Sequence, residues 1–421
     1  MSYPFSYSTD THVDLSSQDA FNEGAPFATF DRLRKTDPIS WTEETGGGRG
    51  FWSITRQEDI RALNKDASLL SSAQGIRMED QTPEEYEARK TFQETDPPVH
   101  TGVRQLLNPA FSRKGVAAFE PQIRALVDDI LDESLGAKEF DAVDLIARRL
   151  PMLMLAQIMG VPATDAAWLV EKGDELISNS DPDYTDFVID KVDTEAYRLL
   201  PFRSPSAVEL FDYANGLLDR MDKGEDLGVL SLLHREIRPD GVMTRDGFRN
   251  FFCLLVAAGN DTTRYSISAA LHALANDPAQ LQLLQTPGFD KWDEAACEMI
   301  RYASPTSHFR RTATRDFQYG DKTIAKGDKV LLWFLSANRD EEMIPDPYKV
   351  DLTRHPNMFM SFGQGGPHVC LGMWLARLEL RIVLQEMARR VKSIEQTARH
   401  DYLRSNFIHG IKRLPVRMVA A

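Results

Sequence analysis

Cysteine is scarce. Cys253, Cys297 and Cys370 are the only three among 421 residues, at no spacing that would ligate zinc and too few for a disulfide framework, so a reducing, cytoplasmic compartment is expected. Long apolar runs are missing too. The longest, residues 251–258, falls far short of the ~20 residues that cross a bilayer, and no membrane span is expected. Met1-Ser2-Tyr3-Pro4 has neither the basic patch nor the apolar core of a secretory signal. There is no basic excess: a formal net charge of −14 argues against nucleic acid as a partner, because phosphate binding needs a concentrated basic face. No nucleotide-binding fingerprint is visible, and no Pro/Gly/Ser-rich linker or low-complexity run divides the chain. Residues 1–421 therefore read as one large domain, with 42% hydrophobic residues to build its core.

What is present is mostly helical periodicity. The pattern predicts helices over 21–35, 121–135, 143–159, 165–178, 207–223 and 229–236. Trp41 and residues 51–54 read as paired strands joined through Gly46-Gly47-Gly48. Residues 69–92 are polar and poorly periodic, with Gly75 and Thr82-Pro83 as breakers, and read as a long loop. Asp96 followed by Pro97 reads as an N-cap and first-turn proline, placing His100 and Arg104 on one helix face where both can reach one anion. Proline-rich residues 180–205 read as a mobile lid, since long connections in compact domains tend to be functional covers.

A longer helix is predicted from Thr244 to Asn276-Asp277-Pro278. Its middle, Ala257-Ala258-Gly259, is small, and a mid-helix glycine costs about 1 kcal/mol against alanine, which close approach of something flat would explain. Asp261 and Thr262 follow in an otherwise apolar stretch. A carboxylate there needs a partner or a task, and a threonine can back-bond to the preceding turn and loosen the helix. Residues 317–319 and 329–335 read as strands, and 405–410 as a hairpin tip.

One loop stands out: Phe362-Gly363-Gln364-Gly365-Gly366-Pro367-His368-Val369-Cys370-Leu371-Gly372, running into an amphipathic helix. A cysteine at a helix mouth lies near the positive end of the backbone dipole, with N–H groups such as those of Leu371 and Gly372 facing a sulfur anion, which favours thiolate. The glycines let backbone pass close to a large flat ligand, and His368 can donate to an acidic group on it. Haem fits; the alternative is a buried structural cysteine in a turn.

Taken with Ala258-Gly259-Asn260-Asp261-Thr262-Thr263 and Glu298-Met299-Ile300-Arg301, in that order along the chain, the loop resembles the haem-thiolate monooxygenases, the cytochrome P450 family, over essentially the whole length. One departure exists. Phe362 lies one position further from Cys370 than in the family's common loop, a length found in a subset of members. The resemblance implies a mainly α fold with a smaller β region, haem b between the long central helix and the cysteine-bearing loop, and Cys370 as axial iron ligand. It implies that Ala258, Phe362, Gly363 and Gly372 lie against the haem, and that His100, Arg104, Arg311 and His368 meet its acidic groups. Glu298, Arg301 and Arg354 become a scaffold triad. Thr262 and Asp261 become the relay that brings protons to bound O2. Ile76, Met78, Phe92, Leu254, Thr306, Ser307, Phe309, Phe407 and Ile408 are candidate pocket walls.

Further implications concern partners. Electrons would come from a ferredoxin or flavoprotein at a face near Arg113, Lys114, Arg377 and Arg381, with NAD(P)H acting only through a separate reductase; the alternative is a solvated helix face with salt-bridge partners. The longer cysteine loop, residues 329–334 with 336–341, and the tail 407–412 are similar to bacterial members that hydroxylate terminal carbons of methyl-branched lipids or sterol side chains. Alkane and monoterpene hydroxylases carry similar pieces and form the second reading. A peroxide-using peroxygenase would usually replace the acid–threonine pair, and a non-catalytic haem sensor would need neither relay nor lid and usually carries an output domain.

Overall fold

Helix Arg245–Asn276 is the frame on which the rest is laid. In a computed structural model, which describes residues 8–45 and 47–421, it runs unbroken for 32 residues, about 48 Å. Residues 1–4 and Gly46, on which two sequence expectations rest, lie outside the described residues. Thr244 starts the helix by accepting the Gly247 N–H at 2.9 Å, and Asp277 ends it, its carboxylate turning to cap the next helix, Pro278–Leu284. Helices Arg149–Ile158, Ala166–Ile177, Ser206–Asp222 and Trp292–Ala303 pack around it, so its apolar side chains are buried on nearly every face.

The β region is smaller. Its main sheet orders five strands as Ile39–Thr42, Phe51–Ile54, Lys329–Leu332, Phe309–Ala313 and Leu70–Ser71. Trp41 lies opposite Trp52 with ring centroids 5.4 Å apart, as the expected pairing requires. Strand Lys329–Leu332 ends sooner than expected because the chain turns at Trp333 into helix Phe334–Ala337. A second sheet joins Phe140–Asp141, Pro415–Ala420 and Val391–Gln396.

Four local expectations need correction. Helix Phe27–Thr36 begins later than residue 21, because Gly24 takes a φ of 97° and Pro26 precedes the first turn. Residues 69–92 are not a continuous loop: Thr82-Pro83 starts helix Pro83–Arg89 through a capping box, the Thr82 hydroxyl accepting the Glu85 N–H while the Glu85 carboxylate accepts the Thr82 N–H. Asp96 is no N-cap. Its carboxylate accepts from the Ser71 hydroxyl and from the Ser72 N–H at 2.9 Å, and the helix starts at Val99. The segment expected as helix over 143–159 opens with a wider turn, Val143–Ala147, before Arg149–Ile158.

The segment read as a lid, 180–205, holds only turns and two short 3₁₀ pieces, Glu195–Tyr197 and Pro201–Arg203. One edge is fastened to the C-terminal hairpin. Arg404 donates its backbone N–H to Asp181 at 2.8 Å and its guanidinium to Asp190 at 2.6 Å, and Lys412 bridges Asp181 at 2.8 Å and Asp183 at 2.6 Å. That hairpin, Asp401–Tyr402 with Ile411–Arg413, presents Phe407 and Ile408 at its tip.

Candidate active site

The cysteine loop is held by its own backbone. Cys370 donates its N–H to the Phe362 carbonyl at 2.9 Å and Gly363 donates to Met360 at 2.8 Å, while Asn64 donates to the Gly363 carbonyl at 3.0 Å. Gly366 is required here by protein packing: a Cβ on it would sit 2.4 Å from the Asn64 carbonyl oxygen. Gly363 is likewise turned toward Phe334 and away from the cavity, whereas Phe362, Gly372 and Cys370 stand on the cavity wall. Cys370 is exposed to the cavity, yet the protein packed around it raises its thiol, countered by the N–H of Gly372, by Arg104 and by the N–H of Met373. The helix mouth thus faces the sulfur as expected, one residue further on than Leu371 and Gly372, but does not by itself produce a thiolate; a metal would have to do so.

The cavity beside Cys370 encloses about 2050 Å³ of space between its walls, solvent mouth included, lined mainly by apolar side chains. Ala258 and Thr262 reach it from the long helix, Thr306 and Phe309 from the sheet side, Phe407 and Ile408 from the hairpin tip. Ile76, Phe92 and Leu254 line it too. Met78 and Ser307 do not. Met78 packs with Leu15 and Trp333, and Ser307 is spent on pairing, its N–H bound to Phe407 at 2.9 Å and its carbonyl to Leu335 at 3.1 Å.

At one side of the loop four basic groups crowd together. The His100 and His368 rings lie 4.1 Å apart, Arg104 and Arg311 are close enough to depress His368, and Arg311 is 4% exposed. Burial lowers Arg311 to about 10, with only Asp96 opposing, and burial followed by Arg311, His100 and Arg104 drives His368 down to about 2. Asp96 is already engaged by Ser71 and Ser72. Arg311 donates only to the Arg310 carbonyl at 2.9 Å and to Asn64 at 3.3 Å, and the buried Nε2 of His100 has no partner among the described residues. Such a cluster is costly without an anion. A flat ligand carrying two carboxylates beside Cys370 would complete it, so the residues present fit haem.

Thr262 and Asp261 face opposite ways. Thr262 lies on the cavity wall and donates its hydroxyl back to the Ala258 carbonyl at 3.2 Å. Asp261 is fully buried behind the wall, 2.9 Å from Arg264, which also holds Asp174 at 2.7 Å. Burial, with Asp174 competing for the same arginine, raises the Asp261 carboxyl to about 8. Asp261 therefore does not line the cavity itself. Ser178 donates to its carboxylate at 3.2 Å. Gly259 stands on the cavity wall beside Ala258, and a Cβ there would also meet Leu155 Cδ1 at 2.9 Å, so the neighbouring helix approaches it closely as well.

Glu298, Arg301 and Arg354 come together as expected. Arg301 donates to both Glu298 oxygens at 2.7 and 2.8 Å, and Arg354 approaches them at 3.1 Å. Sequence reasoning missed Asn357, which donates to the same carboxylate at 3.0 Å, and Arg264, whose i+3 position from Asp261 was the available signal. The basic face is neutralised in part. Arg381 pairs with Glu120 at 2.9 Å, Arg113 lies 3.6 Å from Asp293, and Arg377 stacks among Phe359, Phe362 and Trp374.

Comparison with known proteins agrees with this geometry. A family model described as cytochrome P450 matches residues 293–414. Linalool 8-monooxygenase of Pseudomonas putida is 34% identical over 96% of this chain and 98% of its own length. The methyl-branched lipid omega-hydroxylase of Mycobacterium tuberculosis is 34% identical over 96% and 94%. Among solved structures, a Mycobacterium marinum cytochrome P450 in complex with pseudoionone superposes with a TM-score of 0.84 at 32% identity, over 93% of this chain and 94% of that one.

Proposed function

The chain belongs to the cytochrome P450 family of haem-thiolate monooxygenases, and from that membership we propose that it hydroxylates a terminal carbon of a methyl-branched lipid or of a sterol or isoprenoid side chain. The balance is R–CH3 + O2 + 2e⁻ + 2H⁺ → R–CH2OH + H2O. Cys370, alone at the mouth of helix Met373–Arg390 and facing an apolar cavity, is the observation that carries the reading.

When bound, haem b supplies dioxygen activation and transfer of one oxygen atom, chemistry that a thiolate ligand favours. The residues do the rest. Phe362 and Gly372 hold the Cys370 backbone and sulfur in place; His100, Arg104, Arg311 and His368 would bind the two carboxylates of haem, and Ala258 on the cavity wall would leave room for it. The Thr262 hydroxyl holds a proton at the cavity wall, and Asp261 acts behind it as the buried acid that refills the site. The apolar walls exclude water and direct one C–H bond toward the reacting face. Electrons arrive through a ferredoxin or flavoprotein fed by NAD(P)H, docking near Arg113, Lys114, Arg377 and Arg381, in the cytoplasm. Residues 1–421 act as one catalytic domain.

A terpenoid substrate is the second reading, supported by the linalool enzyme and by the relative that binds pseudoionone. The carbon monoxide difference spectrum of reduced protein, followed by titration of sterol, fatty-acid and terpene panels for the ferric high-spin shift, tests both. A thiolate-type spectrum with a saturable shift is expected. Its absence from folded, haem-loaded protein overturns the ligand assignment.

A further inference from the structure

The cavity is not apolar throughout. Where residues 75–94 meet Pro201–Arg203, the guanidinium groups of Arg77, Arg89 and Arg203 join its wall. Arg89 is committed elsewhere, donating to Gln81 at 3.1 Å and to the Arg198 carbonyl at 3.1 Å. The other two are engaged only in part. Arg77 pairs through Nη2 alone, with Glu79 at 3.2 Å and Asn179 at 3.3 Å, and Arg203 through Nη2 with Glu85 at 3.4 Å and Glu195 at 3.3 Å. The Nε–H of each is buried and without an acceptor among the described residues, which is costly for a charged group.

The backbone beneath is strained to produce this arrangement. Phe202 and Arg203 take consecutive positive φ values of 58° and 52°, a conformation that costs side chains of this size and that clusters where ligands are held. The Arg77 guanidinium lies 5.6 Å from the Phe202 ring and 5.2 Å from the Phe407 ring. It therefore spans from the cover to the hairpin tip inside the cavity. On the same wall burial pushes the Glu94 carboxyl up, whereas against burial Arg77 helps hold Glu79 down, so a ligand carboxylate would share Arg77 with Glu79.

We propose that Arg77 and Arg203 bind the carboxylate of an amphipathic acid whose hydrocarbon tail fills the apolar remainder of the cavity as far as Cys370. The inference rests on the monooxygenase reading and narrows it to a fatty-acid-like substrate, oxidised at the end remote from the acid. A carboxylate can accept from an Nε–H and a terminal N–H of one guanidinium at once, so it matches the donors left over. An anchor of this kind also sets register, which methylene contacts do weakly because each discriminates by only about 1–3 kcal/mol.

Isopalmitic acid and its methyl ester, added to haem-loaded protein, test the assignment by ferric spin-state titration and by equilibrium dialysis. The acid is expected to bind roughly tenfold or more tightly than the ester, as charge-assisted bidentate pairing implies. Arg77→Gln and Arg203→Gln should bring the acid down to the ester's affinity. Equal affinity of acid and ester in the unaltered protein, a comparison that needs no variant to fold, overturns the site; so does an acid preference that survives both substitutions. Oxidation of acid and ester alike at the same carbon removes the carboxylate site and leaves the monooxygenase reading. Arginine-dependent binding of the acid without any oxidation does the reverse.

Discussion

Asp261 and Thr262 are neighbours in sequence on opposite sides of one wall: the threonine faces the cavity, while the aspartate is sealed behind it, 2.9 Å from Arg264. A proton passing between them must cross the helix surface, so the two substitutions should differ in effect.

Thr262→Ala removes the hydroxyl at the wall and should lower the coupling of reductant use to product by about tenfold, within the range of a positioned proton donor, with little loss of substrate binding. Product formation against oxygen consumption measures it. Unchanged coupling would sink the relay assignment.

Asp261→Asn keeps the shape of a carboxyl that burial raises to about 8. Its folded pKa exceeds the unfolded value, so the protonated form favours folding and stability from this group declines as pH rises from about 4 to about 8. The asparagine variant should therefore match the parent in denaturant melts at or below about pH 4, gain on it increasingly up to about pH 9, and lose turnover at every pH.

Glu379 offers the same sign at a position remote from chemistry. It is 1% exposed and raised to about 8 by burial alone. Glu379→Gln should flatten the pH dependence of stability between about 5 and 8, a slope of ~1.4 kcal/mol per pH unit for one proton. An unaltered profile would mean that the carboxylate finds water in solution.

Glu298→Ala strips a buried carboxylate from Arg301, Arg354 and Asn357 together. The expected loss is about 3–5 kcal/mol, enough to leave little protein able to retain haem. Haem-to-protein ratio and thermal melting report it.

Gly259→Ala distinguishes two reasons for a small residue. With Leu155 Cδ1 as the obstructing atom at 2.9 Å, a flexible side-chain end must shift, while the helix gains about 1 kcal/mol. Melting temperature and haem content should both stay near the parent's. Loss of haem with unchanged melting would place the methyl against the cofactor instead.

The parts legible in the sequence are those where local backbone and chemistry coincide. The cysteine loop announces itself because Gly363, Gly365 and Gly366 are tolerated only for a reason, and the long helix because Thr244 and Asp277-Pro278 bracket an apolar run. Thr82-Pro83 was ambiguous: the same dipeptide that interrupts a helix also starts one, and Glu85 tips the balance only once its carboxylate folds back. Gly259 shows that something comes near without saying what. Asp96 is misleading because its tertiary partners, Ser71 and Ser72, compete successfully for a side chain that helix rules assign to the N-cap. Arg77 and Arg203 carried no signal, since their meeting at one cavity is a product of the whole fold.

Arg404 and Lys412 bolt the cover to the very hairpin whose tip, Phe407 and Ile408, stands in the cavity. The shape of the tip and the placement of residues 180–205 are mechanically linked in this molecule. An engineer who reshapes the tip to accept a different chain also pulls on that segment, and directed evolution of either should keep recovering changes in both.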